Sequence, residues 1–157
     1  MLGRHVCLFA LSIAVSSAGQ AESLFLTCVG GGSATKHTSS QAFATNSDGK
    51  SASGTITSTR DVGFEDQVNV EIVDGAGKIR MPRTMLPTIR GGKDGWFEIE
   101  KLKVGEKEIT GNAAVSFLNS PKVRIDRVTG NISINGKSGS FAATCRPYDP
   151  ATVQRAF

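Results

Sequence analysis

The sequence predicts an all-β domain: a small antiparallel barrel or a two-layer sandwich of about seven to nine strands, with its terminal strands joined by a disulfide. Three observations predict it. Apolar and polar residues alternate at period two through most of the chain after Asp66. Turn signals rich in Gly, Asn and Asp punctuate that alternation, and no window of about a dozen residues spaces its apolar side chains at i, i+3, i+4 and i+7, the short tail from Pro150 aside. Finally, the segment after the N-terminal leader retains two cysteines, one near each end.

Residues 1–21 read as a signal peptide. Arg4 and His5 precede an apolar run from Val6 to Val15, too short to span a bilayer, and Gly19 and Ala21 set small residues at the −3 and −1 positions of a cleavage site. Cleavage after Ala21 leaves one domain over residues 22–157. Cys28 lies too far beyond the apolar run, and follows Thr27 rather than a small residue, so it does not fit lipidation. No later segment is apolar enough to cross a membrane as a helix. Export places the chain in the periplasm or outside the cell, where thiols oxidise. Cys7 leaves with the leader, so Cys28 and Cys145 are expected to pair. A bridge closing a loop of roughly 100 residues contributes about 4–5 kcal/mol on the chain-entropy account.

The elements follow in order. Residues 33–60 are dominated by Ser and Thr around Asp48-Gly49 and read as weak outer strands and loops, with Gly54 to Thr59 suited to a pleated edge. Val68, Val70 and Ile72 face one side of a half-buried strand. Asp74 to Gly77 turns it back, and Ile79 and Met81 point inward on the return. Pro82 and Pro87 exclude a central strand, so Pro82 to Asp94 is a long loop. Trp96 to Val104 resumes the alternation with Phe97, Ile99, Leu102 and Val104 as its apolar members. Ile109 to Leu118 is expected to carry Ala113, Val115 and Phe117 on one face, ending at Asn119-Ser120-Pro121. Val123 and Ile125, then Ile132 and Ile134 after Thr129-Gly130, then Phe141 and Cys145, make the last three strands. Residues 147–157 form a C-terminal tail.

Composition narrows the function. The net charge is +4, reduced by one when Arg4 is removed, and no aromatic residue is interleaved with the basic ones; neither favours nucleic acid as a partner. A single histidine, His37, remains after cleavage. It sits in the polar segment with no G-x-S-x-G elbow to serve, and reads as solvated rather than as a catalytic base. Glu98 and Glu100 share a polar strand face, where solvated charge is the ordinary state, so no catalytic residue is assigned. No C-x-x-C spacing suggests a metal, Gly30 to Gly32 lack the lysine of a phosphate loop, and no cofactor is expected. Asn131-Ile132-Ser133 matches a glycosylation acceptor but falls within a strand. A terminal Phe157 raises an outer-membrane barrel, which one Trp and one Tyr cannot furnish with aromatic girdles.

Three features remain. Lys78, Arg80, Arg83, Arg90 and Lys93 occur in a stretch without an acidic residue, forming either a solvated surface or a basic patch for an anionic envelope component. Trp96 either closes the core or lines a groove with the neighbouring loop. The string Val123-Arg124-Ile125-Asp126-Arg127-Val128-Thr129-Gly130-Asn131 places Asp126 before a turn and Arg127 where it can pair across the hairpin or meet an anion. With Gly95-Trp96-Phe97 and the two cysteines, this string resembles uncharacterised small exported bacterial β proteins. The resemblance covers roughly the second half of the chain and implies no activity. The expectation is a non-enzymatic envelope binding module using Arg83, Arg90, Lys93, Trp96 and Arg127. Alternatives are a small secreted inhibitor of a hydrolase, with that hydrolase as its protein partner, and a hydrolase whose residues are not recognised.

Overall fold

Backbone amides and carbonyls of a β-rich chain need partners at every rung, and closing the sheet on itself supplies them at both edges. This chain takes that solution. A computed structural model describes residues 23–152; the expected leader, its expected cleavage site and Phe157 lie outside them. Eight strands follow in chain order: β1 (Leu24–Thr45), β2 (Ser51–Val73), β3 (Ala76–Arg80), β4 (Trp96–Val104), β5 (Glu108–Ala113), β6 (Lys122–Asp126), β7 (Asn131–Gly136) and β8 (Gly139–Pro147). Each pairs antiparallel with its neighbour in sequence, and β8 returns to pair with β1, closing a barrel. Of the two architectures open to the sequence, the barrel is the one formed.

The alternation decides which wall each side chain joins. Val68, Val70, Ile72, Ile79, Phe97, Ile99, Val123, Ile125, Ile132, Ile134 and Phe141 are buried in one interior cluster. The outer wall carries Gln67, Glu71, Lys78, Glu98, Arg124 and Thr144 at intervening positions. An apolar interior inside a polar wall is the reverse of what a lipid-facing barrel requires. No helix among the described residues is long and apolar enough to cross a membrane.

Cys28 and Cys145 face one another across the β1–β8 seam and are joined by a disulfide, as expected. At the same seam Gly30 and Gly32 bring the strands closer than any side chain would permit. A Cβ on Gly30 would fall 2.2 Å from the Ala142 carbonyl oxygen.

Three sequence expectations are refined. Residues 33–60, expected as weak outer strands and loops, are the ends of the two longest strands about a turn at 46–50, paired without a break from Leu24–Ile72 to Thr45–Ser51. Their side chains beyond Lys36 and before Val62 are exposed, so backbone pairing rather than burial keeps them extended. Second, strand β5 ends at Ala113. Val115 is buried, but Phe117 belongs to a turn and is exposed, not inward. Third, the alternation of β4 slips at a bulge between Glu100 and Lys103, where Lys101 has φ 52°. The slip turns Leu102 toward the core and leaves Val104 half-exposed at the rim.

Candidate binding surface

An up-and-down barrel sorts its connections onto two ends. One end holds the start of β1, the end of β8 and the turns at Asp74-Gly75, Gly105 to Lys107 and Arg127 to Gly130. The other holds the β1–β2 extension, the β3–β4 loop, the β5–β6 loop and the β7–β8 turn. The long connections gather at the second end.

The β3–β4 loop is anchored before it is exposed. Met81, Pro82 and Met85 are buried, and a 3-10 turn over Arg83–Met85 bonds the Met85 amide to the Pro82 carbonyl. The Arg83 amide donates to Asp66 Oδ2 at 3.2 Å, fastening the turn to β2. At the far side Asp94 and Gly95 both take positive φ, 54° and 81°, in a two-residue turn closed by paired bonds between Lys93 and Trp96. Asp-Gly is the dipeptide such a turn favours. Between these anchors, Thr88 to Lys93 stand in solvent. The Arg90 side chain folds back, donating Nη1 to the Pro87 carbonyl at 3.0 Å.

The β5–β6 loop is a second short hairpin. Ser116 and Asn119 exchange both backbone bonds, at 3.0 and 3.1 Å, leaving Phe117 and Leu118 as the two turn residues. Asn119 is buried and holds this turn to the β7–β8 turn, donating Nδ2 to Ser138 Oγ at 3.1 Å. Gly91 donates its amide to the Val115 carbonyl at 2.9 Å and joins the two loops.

Three large apolar side chains are thereby lifted out of the protein. Ile89 is 84% exposed, Phe117 92% and Leu118 66%. They line one open depression of about 670 Å³ with Arg90. A neighbouring depression of about 450 Å³ is lined by Lys93, Trp96, Lys78 and Glu98, and the two share Ala114. Glu100 also lines the first. Scattered exposed hydrophobes are ordinary, but three on two linked loops are a patch.

Of the residues the sequence singled out, Arg83, Arg90, Lys93 and Trp96 share this end, and Trp96 is half-buried beside the loop. Arg127 does not join them. It sits at the opposite end, where its Nη1 donates to the Gly105 carbonyl at 3.0 Å and its amide to the Lys107 carbonyl. Ile89, Phe117 and Leu118 were not foreseen. Their signal is the adjacency of Phe117 and Leu118 just before Asn119-Ser120-Pro121, which breaks the alternation where a turn begins.

Elsewhere the polar groups serve local structure. Asp126 Oδ1 accepts the amides of Val128 and Thr129, both at 2.9 Å, and these bonds, that of Thr129 foremost, hold its carboxyl below the usual range. Arg124 Nε donates to Glu108 at 2.7 Å, which raises the guanidinium above its ordinary value. Both line a shallow groove of about 690 Å³ on the wall formed by β1, β6, β7 and β8. His37 lies exposed on the β1–β2 extension with Nδ1 3.1 Å from Thr59 Oγ1. Glu98 and Glu100 are exposed on the outer face of β4. Among the described residues no three His, Cys, Asp or Glu side chains cluster to hold a metal.

No family model matches the chain, and no match is found among the curated proteins or the solved structures.

Proposed function

We propose that the protein is an exported, non-enzymatic binding module that lays the loop end of its barrel on a phosphate-bearing amphiphile of the cell envelope. One observation carries this reading: Ile89, Phe117 and Leu118 are exposed side by side, with Arg90 and Lys93 at their margin. Apolar side chains alone would drive aggregation, and cations alone would bind any polyanion. Their combination suits a ligand that is apolar on one side and anionic on the other. Export is supported by the leader and by a disulfide that persists in oxidising compartments.

Magnitudes favour the same partner. A basic residue near an anionic surface contributes about 1 kcal/mol, and full burial of a large apolar side chain about 1.5–3 kcal/mol. Arg90 and Lys93, with Arg83 of the same loop, and a partly inserted apolar group are enough for reversible attachment. Anionic phospholipid and the phosphates of lipopolysaccharide offer this shared chemistry.

The test is co-sedimentation of the mature protein with vesicles of phosphatidylcholine alone, of phosphatidylcholine with phosphatidylglycerol, and with lipopolysaccharide micelles. Binding to the anionic preparations only, weakened by salt, is expected. Changing Arg83, Arg90 and Lys93 together to Ala should lower it about a hundredfold, at about 1 kcal/mol per charge. Binding to none of the anionic preparations overturns the reading. Near-stoichiometric co-purification with a hydrolase would instead favour an inhibitor presenting the same loops.

A further inference from the structure

Strands β1 and β2 outrun the barrel. The β1–β8 ladder stops at Ala34–Gly139 and the β2–β3 ladder starts at Asn69–Arg80, while β1 and β2 stay paired out to Thr45–Ser51. From Thr35–Asp61 outward this leaves a two-stranded arm, roughly 35 Å long at about 3.3 Å per residue. A ribbon of two strands alone is marginal in water. Its edges are also unguarded: between His37 and Thr45, and between Ser51 and Thr59, there is no Lys, Arg, Asp, Glu or Pro, and the register runs without a bulge. Charge, proline and bulges are the usual means of stopping such edges from pairing.

We infer that the arm pairs with the arm of a second copy of this chain, β2 against β2, antiparallel about a two-fold axis at Ser58, forming a four-stranded sheet. An antiparallel edge is complementary to its own copy, so one closed two-fold contact satisfies both chains. The β2 edge is the better of the two. It has no strand partner from Ser51 to Val68, the Asp66 carboxylate alone being taken there by the Arg83 amide, whereas that of β1 is free only beyond Thr35, whose amide donates to the Ser138 carbonyl; and it carries the β-branched run Thr55, Ile56, Thr57 and Thr59.

Charge accords with this register. With the axis at Ser58, Lys50, just before β2, stands opposite Asp66 of the other copy, Ile56 opposite Arg60 and Thr55 opposite Asp61, so no like charges meet, whereas an axis at Arg60 or Asp61 would set that residue against its own copy. On the same face this pairing brings Ala52 to Phe64 and Gly54 to Val62, the latter of each pair a side chain that the barrel leaves only partly buried. β1 offers no equivalent, since Lys36 is the lone full charge on its free edge and its Nζ already donates to the Thr84 carbonyl.

The oxidised mature protein is examined by sedimentation velocity over a concentration series, beside two variants. Ile56→Lys opposes two cations across the axis and should weaken the dimer about tenfold or more, because each symmetric contact is lost twice. Ser58→Cys places a thiol opposite its own symmetry mate, within the separation of paired residues in an antiparallel sheet, and should cross-link on mild oxidation, while Ser40→Cys on β1 should not. A dimer weakened by Ile56→Lys and trapped by Ser58→Cys is the expected result. A monomer at every concentration with no Ser58→Cys cross-link overturns the inference, and so does cross-linking through Ser40→Cys in place of Ser58→Cys. Thermal unfolding of each variant shows whether the barrel is intact.

Discussion

The Gly91 amide donates to the Val115 carbonyl at 2.9 Å, and through this bond the loop carrying Ile89 and Arg90 is tied to the loop carrying Phe117 and Leu118. Neither loop is rigid because of its exposed residues. Each is rigid because of what lies beneath, Met85 and Pro82 under one and Val115 and Asn119 under the other. Stability and binding are therefore separable at this end of the barrel.

Phe117→Ser with Leu118→Ser should leave stability within about 0.5 kcal/mol of the parent, as for exposed substitutions elsewhere. Binding to phosphatidylglycerol vesicles should fall about tenfold or more, since the inserted apolar area is lost. Urea unfolding and co-sedimentation on the same sample check both halves. Unchanged binding would leave charge as the whole of the attraction.

The Cys28–Cys145 bridge spans 117 positions and ties the seam where the barrel closes. Replacing both cysteines by Ala should cost about 2–5 kcal/mol, the range for removing a native disulfide from a small domain. Urea denaturation of the two proteins, oxidised and reduced, measures it. A loss below about 1 kcal/mol would mean that the unfolded chain gains little freedom.

Gly30→Ala should destabilise by about 1–3 kcal/mol, because the new Cβ would lie 2.2 Å from the Ala142 carbonyl oxygen and 2.6 Å from the Ala143 Cβ. Gly54→Ala is the control, with nothing within 4 Å of the added carbon. It should be neutral or slightly stabilising. Equal effects at both positions would show that the seam relaxes.

Asp126 makes the fold sensitive to acid. Its carboxyl is held below the usual range by the Thr129 and Val128 amides, so its contribution is fully present above the unfolded value near about 3.9 and is lost as pH falls through the lower folded value. Melting temperature measured from pH 6 downward should fall less steeply for Asp126→Asn than for the parent. Parallel curves would remove Asp126 from the acid transition.

Much of this molecule could be read in one dimension. Period-two alternation is a property of neighbouring residues, so Val68, Ile79, Phe97, Val123, Ile132 and Phe141 identified their own strands and buried faces. The pairing of Cys28 with Cys145 followed from their count and from the oxidising compartment the sequence leads one to expect. Phe117 misled because the alternation up to Val115 gives no sign of where pairing stops, and stopping depends on how far β4 and β6 extend on either side. The long arm was hidden for a related reason. Residues 33–60 bury almost nothing, and burial is what makes a strand visible in sequence.

What the sequence by itself determined was the antiparallel all-β character, the interior face of most strands, the disulfide and the placement of Arg83, Arg90 and Lys93 in one loop. The tertiary structure alone decided that the sheet closes, that β1 and β2 outrun it, and that Ile89 meets Phe117 and Leu118 while Arg127 goes to the far end. Alternation fixes the side to which a residue points. Closure, reach and which loops become neighbours depend on strand register summed around the whole barrel, and no local stretch of residues contains that sum.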